Sequence, residues 1–290
     1  MNMKKVLALT LGAALSFSML AACSGGSAET PAPETTAPAE TTPAETTPAE
    51  TAPAGDYGEF TTIEEGKLIM STNAQFPPYE LVADGEGVGG TGFEGIDIEI
   101  ALALADKLGL ELVIDDMDFD GALIAVQQGM SDMVLAGLTY DEERDLVMDF
   151  SDTYANGVQV VIVPEDSDIA TLDDLSGKLI GVQRGTTGWS YTTGDYGEDA
   201  VQAYDDGATA VQALLAGQID CVVIDNAPAQ EYVAANEGLK ILDTEYANED
   251  YCLAVNEGNT ALLNALNTAL NELIADGTVQ SILDKYISAA

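Results

Sequence analysis

Arginine is almost absent from this chain: Arg144 and Arg184 are the only two in 290 residues, among 50 acidic and nine basic side chains. Arg144 closes the stretch Gly137-Leu-Thr-Tyr-Asp-Glu-Glu-Arg144, directly after an apolar, strand-like run. One use for it there is an ordinary surface charge paired with Glu142 or Glu143. The other is a fixed cation for an anionic ligand, since a guanidinium grips a carboxylate through two parallel donors, with more geometric definition than lysine offers. A second stretch, Gly181-Val-Gln-Arg-Gly-Thr-Thr-Gly188, runs from a strand pattern through Thr186 into a helix start. Unpaired amides and the positive end of the helix dipole favour an anion there as well. Asp225 ends an apolar run and suits a cation. A carboxylate and an ammonium held close together describe a free α-amino acid, which carries both on one carbon. Phe76 and Phe119 follow strand-like runs and are placed to stack on such a ligand, although core packing is the commoner use of phenylalanine. Trp189 is assigned to packing against the second sheet.

Other chemistries find little support. The chain has no histidine, which removes histidine acid–base catalysis and histidine metal ligands. No G-x-S-x-G, no P-loop and no ordered Ser/Lys or Cys/His pair is present. The run Asp116-Met-Asp-Phe-Asp-Gly121 opens like a calcium loop, but Gln127 stands where a bidentate glutamate is needed and a helix pattern follows at once. Asp118 or Asp120 is expected to cap that helix instead. No metal, no cofactor and no catalytic residue is expected. A net charge of −41 repels polyanions, so nucleic acid is not a partner. Cys221 and Cys252 each lie in an apolar run, and both a disulfide and two separate buried thiols are open.

Elements must bring these residues together. Strand patterns fall at 67–72, 111–115, 132–137, 158–163, 178–182, 221–225 and 251–255, with helical patterns at 97–108, 119–128, 208–216 and 226–236 between them. Near the end, Leu262, Leu266, Leu270 and Leu273 form one apolar stripe, with Asn259 as N-cap and Gly277 at C′. Alternating β and α argues for parallel sheets covered by helices. One unit occurs twice: helix, Gly129, two residues, Asp132, strand; and helix, Gly217, two residues, Asp220, strand. Such an order is also common α/β grammar. If the copies head separate sheets, Gly137 and Asp225 both lie at carboxyl ends of strands, where open α/β sheets bind ligands, and can face each other across a cleft.

The N-terminus addresses the chain to a membrane. Lys4 and Lys5 precede an apolar run too short to span a bilayer, which ends in Leu20-Ala-Ala-Cys23. Residues 1–22 are read as a signal peptide that resembles those of bacterial lipoproteins, with Cys23 as the lipidated residue. Residues 23–60 are read as a disordered spacer, since a Thr/Pro/Ala/Glu repeat with proline at 33, 38, 43, 48 and 53 cannot bury enough apolar surface to fold. About 230 residues remain for the folded body.

Six stretches in this order carry a resemblance: Ser71–Glu80, Phe119–Arg144, Val147–Val163, Gly177–Gly188, Cys221–Ala229 and Glu272–Tyr286. From about Gly66 to Tyr286 the chain resembles family 3 extracellular solute-binding proteins, receptors of polar amino-acid ABC importers, and is similar to glutamine-, histidine- and lysine/arginine/ornithine-binding proteins. The resemblance implies an α/β, two-lobed, type II periplasmic-binding-protein-like clamshell. Its two crossing segments fall near Tyr154–Val158 and Ala247–Tyr251, with lobe 1 over 62–153 plus 252–290 and lobe 2 over 158–246. It implies that Arg144 binds the α-carboxylate, helped by Thr139 and Thr186. Asp225 and the Gly137 carbonyl take the α-ammonium, Phe76 and Phe119 sandwich the side chain, and Asn73 and Gln183 meet its far end. Arg184 matches no ligand position. Relatives often carry Asp where this chain has Asn73, and some have a polar residue where it has Gly188. Because Asn73 cannot neutralise a cationic head, a neutral polar amino acid is expected, unless Glu80 or Glu94 enters the pocket and reverses that logic. The implied partners are the amino acid, the permease subunits and, through Cys23, the outer face of the cell membrane; the protein is expected to be a monomer. A cyclohexadienyl-dehydratase-like enzyme and a ligand sensor on the same scaffold are the alternatives.

Overall fold

A computed structural model describes residues 55–287. The signal segment, Cys23 and most of the predicted spacer lie outside the described residues. The last predicted spacer residues are docked: Tyr57 and Phe60 lie against the core and the Tyr57 hydroxyl donates to Glu272 at 3.0 Å, because these aromatics have apolar surface to bury.

The chain opens with β1 (Lys67–Thr72), β2 (Gln75–Phe76), β3 (Glu80–Val82), β4 (Phe93–Glu94), α1 (Ile96–Leu108), β5 (Glu111–Asp116), α2 (Phe119–Gln127), β6 (Met133–Val134) and β7 (Met148–Phe150). It continues through β8 (Ala155–Pro164), β9 (Ile180–Gln183), α3 (Thr187–Tyr196), β10 (Val201–Tyr204), α4 (Gly207–Leu215), β11 (Cys221–Asp225), α5 (Asn226–Ala235) and β12 (Leu239–Ile241). β13 (Ala247–Tyr251), β14 (Ala254–Asn256), α6 (Thr260–Ala275) and α7 (Thr278–Tyr286) complete it. One sheet has the order β5-β1-β6-β14-β7, and a second has β10-β9-β11-β8-β12 with β13 also paired to β8. Strands β2, β3 and β4 form a small separate sheet.

Each of the two large sheets is mixed rather than parallel. β1 runs parallel to β5 and β6, and β9 to β10 and β11, as alternating β and α requires. Strand β14 is antiparallel to β6 and β7, and β8 to β11, β12 and β13. The reversal has a topological cause. The chain leaves the first sheet after β7 along β8 and returns along β13, so out-going and returning strands lie side by side, with Ala155 opposite Tyr251 and Gln159 opposite Ala247.

Apolar periodicity fixes the layers. Leu68 and Met70 of β1 lie under Ile100 and Leu104 of α1 and Leu266 and Leu270 of α6, all fully buried. On the other face, Ala122 and Val126 of α2 cover Val134. In the second sheet Ile162, Val222 and Ile224 face Val211 and Leu214 of α4, while Val161, Ile180, Val182 and Val223 form the opposite layer. Gly277 follows α6 with φ 84°, the left-handed residue predicted to end it.

Other expectations change. The strand expected over 132–137 pairs only at Met133–Val134, because the chain turns at Gly137 with φ 52°. The run 251–255 is split: Cys252 donates its amide to the Leu138 carbonyl and Leu253 to the Ser151 hydroxyl, which draws both out of the ladder. Asp118 and Asn259 occupy N-cap positions without a side-chain capping bond, and Asp120 lies in the first turn of α2. Trp189 is 39% exposed on α3 rather than packed under the sheet. Cys221 and Cys252 are separate, buried free thiols. Among the described residues no helix is long and apolar enough to cross a membrane.

Candidate functional site

The carboxyl ends of the two sheets meet over one cavity, whose non-atom space is about 330 Å³ with the part open to solvent included. Its lining includes all nine residues singled out from sequence: Asn73, Phe76, Phe119, Gly137, Thr139 and Arg144 from the first sheet side, and Gln183, Thr186 and Asp225 from the second. Glu80, Ala136 and Thr187 complete it.

Arg144 is held by carbonyls instead of acids. Its Nη1 donates to the Thr139 carbonyl at 2.8 Å and its Nη2 to the Gly185 carbonyl, across the cleft, at 3.0 Å. Its guanidinium carbon lies 5.6 Å from the centre of the Phe119 ring, within cation–π range. Burial draws its pKa below the usual value, yet an arginine stays charged in such a site. Among the described residues it has no carboxylate within salt-bridge distance, so its charge is oriented but not neutralised. Arg184, by contrast, is exposed and pairs with Asp205 at 3.5 Å.

Thr186 is the N-cap of α3: its hydroxyl accepts from the Trp189 amide at 3.3 Å and donates to the Gln183 carbonyl at 2.8 Å. The hydroxyl is therefore engaged in building the turn, and Thr186 and Thr187 at this helix start line the cavity. Gly188 lets this turn approach Gln159, whose Oε1 would lie 2.8 Å from a Cβ there.

Asp225 ends β11 at the opposite wall. It accepts from the Tyr251 hydroxyl and, at 2.7 Å, from the Gln159 amide. Gln159 bridges onward to Glu249 of β13 at 3.0 Å, so two buried acids face each other with one amide between them. Burial pushes the Asp225 carboxyl well up, and the Glu249 charge pushes it the same way, against the opposing effect of the two hydrogen bonds. A cation arriving beside Asp225 would relieve this.

The floor is aromatic and acidic. Phe76 stacks on Tyr79 at 5.8 Å, and Tyr79 meets the edge of Tyr251 at 5.1 Å. Gly137 donates its amide to Asp97 at 2.7 Å, and a Cβ at Gly137 would stand 2.7 Å from Phe76 Cε1. Asn73 donates to the Met117 carbonyl at 2.9 Å and accepts from Gln183 at 3.0 Å, a second contact across the cleft. Glu80 is fully buried on this floor, whereas Glu94 is exposed on β4.

The supporting residues Gln159, Tyr251 and Glu249 were not singled out from sequence. Gln159 had a signal, as the one polar residue inside Val158–Val163. Glu249 had none, since one more acid is inconspicuous in this chain.

Two mixed sheets joined by paired crossing strands, with a cation and an acid facing one cavity, define a clamshell solute receptor. The sequence profile of the bacterial extracellular solute-binding proteins, family 3, matches residues 68–289, and the chain belongs to that family. It is 31% identical over 229 residues to the L-cystine-binding protein TcyJ of Escherichia coli K12, covering 78% of this chain and 84% of that one. Among solved structures it resembles an ancestral arginine-binding protein bound to arginine, at 40% identity and TM-score 0.70, over 77% of this chain and 99% of that one. The same holds for an ancestral arginine-binding protein bound to glutamine, at 38% identity and TM-score 0.72, over 78% and 100%.

Proposed function

We propose that this chain captures one free, polar L-α-amino acid in the interlobe cavity and delivers it to the membrane subunits of an ABC importer. The observation that carries this is the pairing of a half-buried, un-neutralised Arg144 with a buried, charge-stressed Asp225 on opposite walls of one cavity. The α-carboxylate is assigned to Arg144, Thr139 and the helix start at Thr186. The α-ammonium goes to Asp225 and the Gly137 carbonyl, and the side chain lies between Phe76 and Phe119. The amides of Asn73 and Gln183 complement a neutral polar side chain such as a carboxamide, which offers both donors and acceptors. The relatives named above are all binding proteins, for cystine and for arginine, and one was solved with glutamine; they support binding without catalysis.

Calorimetric titration of the folded protein with each of the twenty amino acids tests this reading. Saturable binding of at least one polar amino acid, in one-to-one stoichiometry, is expected. Absence of any amino-acid binding, or turnover of prephenate or arogenate, would overturn it. Attachment to the membrane through a lipid on Cys23 rests on the Leu20–Cys23 sequence; Cys23→Ser should abolish incorporation of a labelled fatty acid, and undiminished labelling would refute the anchor.

A further inference from the structure

Among the described residues Glu80 is the one cavity-lining carboxyl that no hydrogen-bond donor reaches. It is fully buried, at 0% accessibility, and both of its carboxyl oxygens are left without a donor. The groups that face it are acids and phenols: Asp97 of α1, Asp116 of β5, Asp225 of β11, and the tyrosines Tyr79, Tyr154 and Tyr232. A carboxylate left bare in such a setting is among the costliest groups a protein can bury. Two escapes exist. The carboxyl can keep its proton and share it with Asp97, or a cation can come to it.

Asp97 is built to be the anionic half of such a pair. It accepts from the Gly137 amide at 2.7 Å and from the Tyr154 hydroxyl at 2.8 Å, so its charge is already solvated by the protein. Glu80 has no comparable donors. We propose that Glu80 is the charge-adapting specificity residue of this cavity: as a protonated acid shared with Asp97 it accommodates a neutral polar side chain, and it gives up its proton when a guanidinium or ammonium side chain enters. The proton leaves to solvent, the new ion pair replaces the shared hydrogen, and the net charge of the floor plus ligand is conserved. Burial and the neighbouring Asp97 charge both hold the Glu80 carboxyl far above the usual carboxylate range, which keeps the proton available for exchange at neutral pH. Asn73 alone would have excluded cations; Glu80 removes that exclusion. This inference rests on the amino-acid-binding reading and names the ligand classes the site admits.

The test is calorimetry of wild type and Glu80→Gln with arginine, lysine and glutamine, each in phosphate and in Tris, whose different ionisation heats count protons released on binding. Any proton exchanged at Asp225 by the α-ammonium is common to all three ligands. Wild type should therefore release about one proton more with arginine or lysine than with glutamine, one ionisable group being the source. In Glu80→Gln that difference should vanish, and the arginine-to-glutamine affinity ratio should fall by at least about 30-fold, the lower range for breaking a buried charge pair. The idea is overturned if neither cationic amino acid binds wild type, if they release no extra proton, or if the difference persists in the variant. Should Glu80→Gln fail to fold, the wild-type proton count still decides. A wild-type protein that binds no amino acid at all refutes the functional reading instead.

Discussion

Arg144 shows how far a single residue can be read and where reading stops. Its rarity in an acid-rich chain marks it, and the structure gives the reason its charge stays available: its partners are the Thr139 and Gly185 carbonyls, which orient a guanidinium without cancelling it. Arg144→Ala should lower amino-acid affinity by about 30-fold to several thousand-fold, since truncating one side of a buried charge pair costs about 2–5 kcal/mol. Arg184→Ala removes only an exposed pair and should change affinity little. Titration calorimetry compares them, and equal losses would refute this division of roles. Gly137 makes a second case. Its φ of 52° and the 2.7 Å approach of a new Cβ to Phe76 mean that Gly137→Ala must displace the ring proposed to stack on the ligand. Weaker binding together with a loss of about 1–3 kcal/mol in urea unfolding is expected, as for other overpacked sites; an unaffected affinity would show that Phe76 does not hold the ligand. Arg144, Asp225 and Phe76 were legible because charge scarcity and strand ends announce them. Glu80 was visible only as a condition on selectivity, because whether a carboxyl points inward depends on the fold of β2 and β3, which no periodicity encodes.

At the scale of elements, the duplicated helix–Gly–x–x–Asp–strand unit is more than shared grammar. Asp132 exchanges bonds with Ile69: its amide donates to the Ile69 carbonyl at 2.8 Å, and its carboxylate accepts from the Ile69 amide at 2.8 Å. Asp220 does the same with Leu179, at 2.8 Å and 2.7 Å. In each sheet one aspartate thus registers two parallel strands, β1 with β6 and β9 with β11, and so sets where their carboxyl ends deliver Gly137 and Asp225. Asp132 is buried and also accepts from the Ile63 amide at 2.8 Å, while Asp220 is exposed. Asp132→Ala should therefore cost about 1.5–3 kcal/mol and Asp220→Ala less, because amides left bare in the interior lose more than amides that can turn to water. Chemical denaturation measures both, and a larger loss at Asp220 would contradict the burial argument. The helices and the parallel strand pairs were legible from period and punctuation. The antiparallel members were not, since β8, β13 and β14 are placed by chain crossings between sheets, and local sequence carries no record of which neighbour a crossing strand will meet.

On the scale of the whole molecule, the two sheets are drawn together by few direct bonds, Arg144 to Gly185, Gln183 to Asn73 and the Tyr232 hydroxyl to the Gln75 carbonyl at 3.0 Å, around a cluster of acids. Burial raises Asp97 to about 6, and raises Asp225 and Glu80 further in the same direction. Each of these groups binds its proton more tightly in the folded chain than in the unfolded one, so folding stability falls as pH rises through the folded values and is regained on acidification. The exposed carboxylates Asp168, Asp174, Glu272 and Asp276 are shifted downward by their partners and act in the opposite sense, but only below the ordinary carboxylate range. Between about pH 8 and about pH 5.5 the buried acids therefore prevail, and the ligand-free protein should melt at a higher temperature as the pH is lowered. Relief of self-repulsion in a chain of net charge −41 works in the same direction, so the slope of the wild type alone does not identify its source. Glu80→Gln separates the two: it removes one buried titrating group while changing the surface field little, and its melting temperature should depend less on pH than that of the wild type, with the greatest gain over wild type at the alkaline end. A saturating amino acid should flatten the wild-type profile too, because its ammonium supplies at Asp225 the positive charge that a proton supplies at lower pH. Differential scanning calorimetry across this range reads all three profiles. Parallel wild-type and variant curves would show that the pH response belongs to the surface and not to the floor of the cavity.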